Sequence, residues 1–140
     1  MTTLTPYLLL DGTCSQAMEF YHSCLGGELR LTRVKDSPAK NFMPPSQHEK
    51  IVNAHLKSGN LEISASDWLA PDHNPVRGNT VCIFLHTETP EELQAAFAKL
   101  AAGADVTNPL QQQFFGLYGA LNDRFGVRWM FQSNHQEAVR

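Results

Sequence analysis

Residues 114–131, FFGLYGALNDRFGVRWMF, set two apolar and aromatic runs on either side of an Asn-Asp-Arg-Phe-Gly turn. An Asp at the start of such a turn accepts from its own backbone two residues on, and Gly126 takes the positive φ that closes it at no steric cost. The stretch reads as a β-hairpin, with Trp129 and Phe131 as core. Upstream, residues 80–86 form an apolar strand. Thr89-Pro90-Glu91-Glu92 then opens a helix, with Thr89 as N-cap, Pro90 in the first helical position and Glu92 closing a capping box. Leu93, Ala96, Phe97 and Leu100 give its buried stripe, and Gly103 ends it. With a short segment at 104–108, the second half reads as strand, helix, three strands.

The first half repeats that order. Residues 7–10 are apolar and close on Asp11-Gly12, and the Thr13 to Gln16 spacing predicts a capping box. Ala17, Phe20, Tyr21 and Cys24 recur at helical spacing before Gly26-Gly27 stops the helix. Residues 28–34 alternate, with Leu29 and Leu31 on one side and Arg30 and Thr32 on the other. Residues 35–49, KDSPAKNFMPPSQHE, have three prolines and no period, which predicts a long loop. Residues 51–57 and 61–66 are alternating strands joined by Ser58-Gly59-Asn60, where Gly and Asn accept positive φ. Residues 67–79, DWLAPDHNPVRGN, break the chain between halves.

With 140 residues and 42% hydrophobic content, the chain is long enough for a real core. Each half alone is too small for one, so pairing of halves, or of two chains, is required. A formal charge of −3 spread along the sequence gives no basic stripe for nucleic acid and no polybasic run for a membrane surface. No apolar run reaches the roughly 20 residues that span a bilayer, and the N-terminus lacks the basic start of a secretory signal, so a cytoplasmic protein is expected. The three cysteines, Cys14, Cys24 and Cys82, have no CxxC spacing and read as buried, reduced thiols. Cys14 alone sits where a helix dipole would lower its pKa.

PYLLLDGTCSQAMEFYHSCLGGEL at 6–29 resembles the first strand-helix module of the vicinal oxygen chelate superfamily, the glyoxalase and bleomycin-resistance class. FFGLYGALNDRFGVRWMF is similar to the last hairpin of its PhnB-like branch, also labelled demethylubiquinone methyltransferase-like. ISASD, ending at Asp67, belongs to the same likeness, which spans about residues 5–132. The resemblance implies an α+β fold of two βαβββ modules whose curved mixed sheets enclose a cleft, usually in a homodimer, with the modules of each site drawn from one chain or from both. Residues 1–140 then form one domain, with module one at about 5–67, a linker at 68–78, module two at 79–132 and a tail at 133–140. Methyl transfer is not implied, because no Gly-rich nucleotide loop follows a strand.

Members of the superfamily that use a metal hold it with His, Gln or Glu on cleft-facing strand positions. Here the corresponding positions are Asn53 and Met130, and the first strand offers only Tyr7, Leu8, Leu9 and Leu10. No cofactor is therefore required. The alternative is a divalent ion in a displaced site of His55, Glu62 and His86, since strand alternation puts His55 on the face of Asn53.

Asn53, His55, Glu62, Ser64 and Ser66 form a polar, titratable strand surface, which suits the wall of a small-ligand pocket. Phe42, Phe115 and Trp68 are the aromatics able to close it, and the 35–49 loop would be a lid. The candidate ligand-binding set is thus Phe42, Asn53, His55, Glu62, Ser64, Ser66, Phe115 and Met130. If the protein is an enzyme, His55 is the catalytic acid or base, with Glu62 tuning or orienting it. Of the other histidines, His86 reads as structural, His22 as solvent-facing, and His48, His73 and His135 as loop or tail residues. Nucleophilic catalysis lacks a GxSxG elbow or a Cys beside a base. Two readings result: a binder of a small organic molecule with a degenerate metal site, and a metal-assisted or His-based lyase, isomerase or dioxygenase.

Overall fold

The computed structural model describes residues 1–134, so His135 lies outside the described residues. Between Arg77 and Gly78 the chain divides into two compact units. The first contains β1 (Tyr7–Leu10), α1 (Cys14–Leu25), β2 (Glu28–Arg33), β3 (Ile51–Ser58) and β4 (Leu61–Asp67). The second contains β5 (Ile83–Thr87), α2 (Pro90–Leu100), β6 (Asp105–Gln113), β7 (Gly116–Asn122) and β8 (Arg128–Ser133). Each is a βαβββ module with one open, mixed four-stranded sheet. The strand orders, β1-β4-β3-β2 and β5-β8-β7-β6, are the same pattern twice. In each, the first strand runs parallel to the last, and the remaining pairs are antiparallel.

Strand alternation divides each sheet into a helix side and an open side. In the first unit Ala54, Leu56, Ile63 and Ala65 are buried, and α1 lies against β2, β3 and β4 with Ala17, Met18, Tyr21 and Cys24 buried. In the second, Leu85, Leu121, Trp129 and Phe131 are buried along with Leu93 and Leu100 of α2. Phe97 meets Phe131 edge-on at 5.0 Å, and Trp129 stacks on Phe131 at 6.1 Å. Each fully buried aliphatic or aromatic side chain stabilises the fold by about 1.5–3 kcal/mol.

The helix starts differ from each other. Thr89 caps α2 as its sequence predicts, its Oγ1 accepting from Glu92 N at 3.2 Å. Thr13 makes no such bond at α1. Asp67, at the end of β4, replaces it: Oδ1 accepts from Cys14 N at 3.0 Å and Oδ2 from Ile51 N at 2.8 Å. Lowering of the Cys14 pKa by the helix dipole is also overturned. Burial pushes this thiol up to about 12, and the nearby Asp67 charge adds to the rise.

Four further expectations are corrected. Positive φ in the β3–β4 turn falls on Gly59 alone, at 59°, as a type II′ geometry needs; Asn60 does not share it. Residues 80–82 stay outside β5, which begins at Ile83. The segment expected at 104–108 is a nine-residue edge strand, β6, that passes through Pro109. Among the described residues it pairs only with β7, and it shifts register on both sides of Asn108. An edge strand tolerates a proline because no outer neighbour needs its missing N–H. The stretch expected as a long loop at 35–49 instead carries three short 3-10 turns, the first starting one residue earlier: Val34–Asp36, Pro38–Asn41 and Pro45–Gln47. They close at the neck, where Val34 N donates to Lys50 O and Lys35 N to His48 O. Among the described residues no helix is long and apolar enough to cross a membrane.

Candidate functional site

On the open side of the first sheet, register brings the candidate polar residues into cross-strand rows. His55 stands between Arg30 of β2 and Ser64 of β4, with Tyr7 of β1 beyond Ser64. Asn53 lies across from Thr32 of β2. Lys57 lies between Glu28 and Glu62. Rows a few ångströms apart let short polar side chains from several strands act on one ligand group. The expected alternation of Asn53 with His55, and of Glu62 with Ser64 and Ser66, therefore holds. Asn53 is exposed, His55, Glu62 and Ser64 are half-buried, and Ser66 is buried.

His55 Nε2 lies 3.6 Å from Glu62 Oε1, which suits an ion pair when the ring is protonated. Glu62 is more closely engaged elsewhere. Lys57 Nζ donates to its Oε1 at 3.4 Å and Thr5 Oγ1 to its Oε2 at 3.3 Å. The Lys57 hydrogen bond, then the Lys57 charge, holds this carboxyl below the usual carboxylate range; Thr5 and His55 add smaller contributions. Arg30 completes the row, and its alternation with Leu29 and Leu31 already places it on this side.

Met130 lies on the open side of the second sheet, across from Phe84 of β5 and Ala120 of β7. Phe115, between β6 and β7, is half-buried and meets Tyr118 edge-on at 5.8 Å. Phe42 follows the second 3-10 turn and is 85% exposed. Trp68 Nε1 donates to His73 O at 2.7 Å, which folds the segment after β4 back on itself. That fold borders a cavity of 570 Å³ floored by Leu9. Gln111, Gln113 and Tyr118 were not singled out by sequence, because Pro109 hides the strand that carries the two glutamines.

Three other histidines have hydrogen-bonding partners. The His86 Nε2 is 2.7 Å from Asn134 Oδ1. Rather than facing solvent freely, His22 is half-buried with its Nε2 2.9 Å from Gly27 O, and His48 Nε2 is 3.0 Å from Met43 O.

These residues do not fit a metal centre of the superfamily's kind. Asn53 offers a neutral carboxamide and Met130 a soft thioether, whereas divalent ions of the harder type need carboxylate or imidazole donors. Of the displaced set, Glu62 is taken up by Lys57 and Thr5, and His86 is held by Asn134. Among the described residues no three His, Cys, Asp or Glu side chains gather closely enough to hold an ion.

The fold and sequence have clear relatives. Protein YjdN of Escherichia coli K12 is 28% identical over 98% of this chain and 99% of its own. The crystal structure of PA1353 from Pseudomonas aeruginosa is 32% identical with a TM-score of 0.87, covering 97% of this chain and all of that one. A Bacillus cereus protein carrying the names PhnB and 3-demethylubiquinone-9 3-methyltransferase superposes with a TM-score of 0.73 over 94% of this chain and 99% of its own. At 24% identity it speaks for the fold alone. Residues 3–131 match the sequence pattern of one superfamily across both βαβββ units. The chain belongs to the Glyoxalase/Bleomycin resistance protein/Dioxygenase superfamily.

Proposed function

We propose that this protein is a PhnB-like binder of a small organic molecule, with a degenerate metal site, acting as a homodimer. One observation carries the reading: on the open side of the first sheet His55 stands across from Ser64, both half-buried, while Asn53 and Met130 occupy the positions where the resemblance leads one to expect metal ligands. Such a surface orients a polar ligand and lacks the donors that grip a cation. Phe42 supplies apolar cover, and the 35–49 segment acts as the lid. Dimerisation would let sheets of two chains complete each cleft.

A second reading has its own support in the 3.6 Å approach of His55 to Glu62, which suits a His acid or base oriented by a carboxylate. The methyltransferase name of the Bacillus relative is not carried over, since neither unit places a Gly-rich loop between a strand and a helix N-terminus.

Metal analysis of protein purified without chelator separates the readings. The binder contains far less than one divalent ion per chain, and His55→Ala leaves that content unchanged. A stoichiometric ion that disappears in His55→Ala overturns the proposal in favour of the enzyme. Light scattering tests the dimer, and a monomer at micromolar concentration refutes that part.

A further inference from the structure

The open side of the second sheet carries a hollow of its own. A cavity of 270 Å³ lies over the β6–β7 hairpin, lined by Thr107, Asn108, Gln111, Gln113, Phe115 and Tyr118. Its shape follows from register. Gln111 lies across from Tyr118, but Gln113 lies across from Gly116 and Asn108 from Ala120, so β7 offers a large side chain only in the middle. The register shifts on both sides of Asn108 bend the edge strand there, and bulges of this kind often re-aim side chains at binding sites.

The lining has a consistent chemistry. Phe115 and Tyr118 form an edge-on aromatic pair, and Phe114, 89% exposed, meets Phe115 edge-on at 5.0 Å at the hairpin tip. Gln111 and Gln113 present carboxamides, each able both to donate and to accept. Among the described residues no carboxylate, Lys, Arg or His lines the hollow. Arg128, the adjacent cation, is tied to Thr107 Oγ1 at 2.6 Å. The volume falls just below the roughly 300–1,000 Å³ of drug-sized pockets.

We propose that this hollow binds a neutral, planar heteroaromatic ring, alone or as the end of a larger molecule, with the ring against Phe115 and Tyr118 and its polar edge on Gln111 and Gln113. An aromatic ledge selects a flat π-face, and paired amides reward a ring edge with both donor and acceptor. An uncharged lining gives an ionised ligand nothing in return for its lost hydration. The hollow needs no residue of the first sheet, so the inference stands apart from the site proposed there.

The test is an NMR titration of the whole protein with nicotinamide, nicotinate and cyclohexanecarboxamide, following the assigned side-chain amide signals of Gln111 and Gln113. Nicotinamide is expected to move both signals saturably. Nicotinate, which is charged, and cyclohexanecarboxamide, which is not planar, are expected to bind roughly ten-fold more weakly. Tyr118→Leu removes the response, Tyr118→Phe keeps most of it, and His55→Ala leaves it unchanged. Equal binding of all three probes, or no movement of either amide signal, overturns the inference. A nicotinamide response confined to residues around His55 also overturns it while upholding the first-sheet site.

Discussion

The carboxylate of Asp67 accepts the backbone N–H of Cys14 at 3.0 Å, so the last residue of β4 caps the helix that follows β1. Its other oxygen holds Ile51 N, the first residue of β3. The second unit has a partial counterpart: Ser133, at the end of β8, accepts from Leu117 N near the start of β7 at 3.2 Å. Both residues are buried, Asp67 at 4% exposure and Ser133 at 0%. The helix-capping half of the arrangement belongs to Asp67 alone, because Thr89 caps α2 locally.

Asp67→Ala leaves two buried N–H groups without their acceptor. Loss of two hydrogen bonds to a charged group costs about 3 kcal/mol of stability, measured by urea denaturation. Asp67→Asn keeps one acceptor and loses about half as much. A change within experimental error for the alanine variant would refute the capping role.

The Cys14 thiol, pushed up to about 12 by burial and then by Asp67, gives a pH dependence of known sign. Above an ordinary 9.0 the unfolded chain loses this proton while the folded chain keeps it. The contribution is therefore complete below pH 9.0 and is lost as the pH climbs toward the folded value. Cys14→Ala should lack this part of the alkaline fall in stability. In the native protein Cys14 should react with a thiol reagent far more slowly than half-buried Cys82.

Glu62 has the opposite sign. Its carboxyl sits below an ordinary 4.5 because Lys57 donates to it, so its contribution is present above that value and fades as the pH falls through the lower folded value. Exposure to solvent and salt keeps this contribution small. Carbon NMR of the side chain should show a low titration midpoint that rises in Lys57→Met. An unmoved midpoint would show that Lys57 is not the cause.

Gly27 and Gly59 both have positive φ, at 85° and 59°, but only Gly27 is crowded. A Cβ there would overlap Lys57 O and approach Ser58 Cβ at 2.6 Å, whereas one on Gly59 meets nothing within 4 Å. Gly59→Ala should cost about 1 kcal/mol from backbone strain alone. Gly27→Ala should cost at least about 2 kcal/mol more, since backbone atoms must move. Equal losses in thermal unfolding would contradict this.

Much of the architecture was legible because its signals are local. Period-two alternation put Asn53 and His55 on one face and Glu62, Ser64 and Ser66 beside them, and the register agrees. The Asp123 turn closes as its residues predict, with Phe125 N donating to Asp123 Oδ1 at 2.8 Å and Gly126 at a φ of 82°. The segment expected at 104–108 ends just before Pro109, whereas β6 runs on to Gln113, because a proline is tolerated in a strand that lies at an edge. The hollow over the β6–β7 hairpin was hidden with that extension.

By itself the sequence determined the two βαβββ units, their helix stops and the face on which each strand residue lies, since each depends on backbone preferences over a few neighbouring positions. Only the tertiary structure decided that Asp67 caps α1, that Asn134 meets His86, and that Gln111 and Tyr118 border one hollow. Asp67 and Cys14, and His86 and Asn134, are far apart in the chain, while Gln111 and Tyr118 meet through the shifted register of β6 on β7.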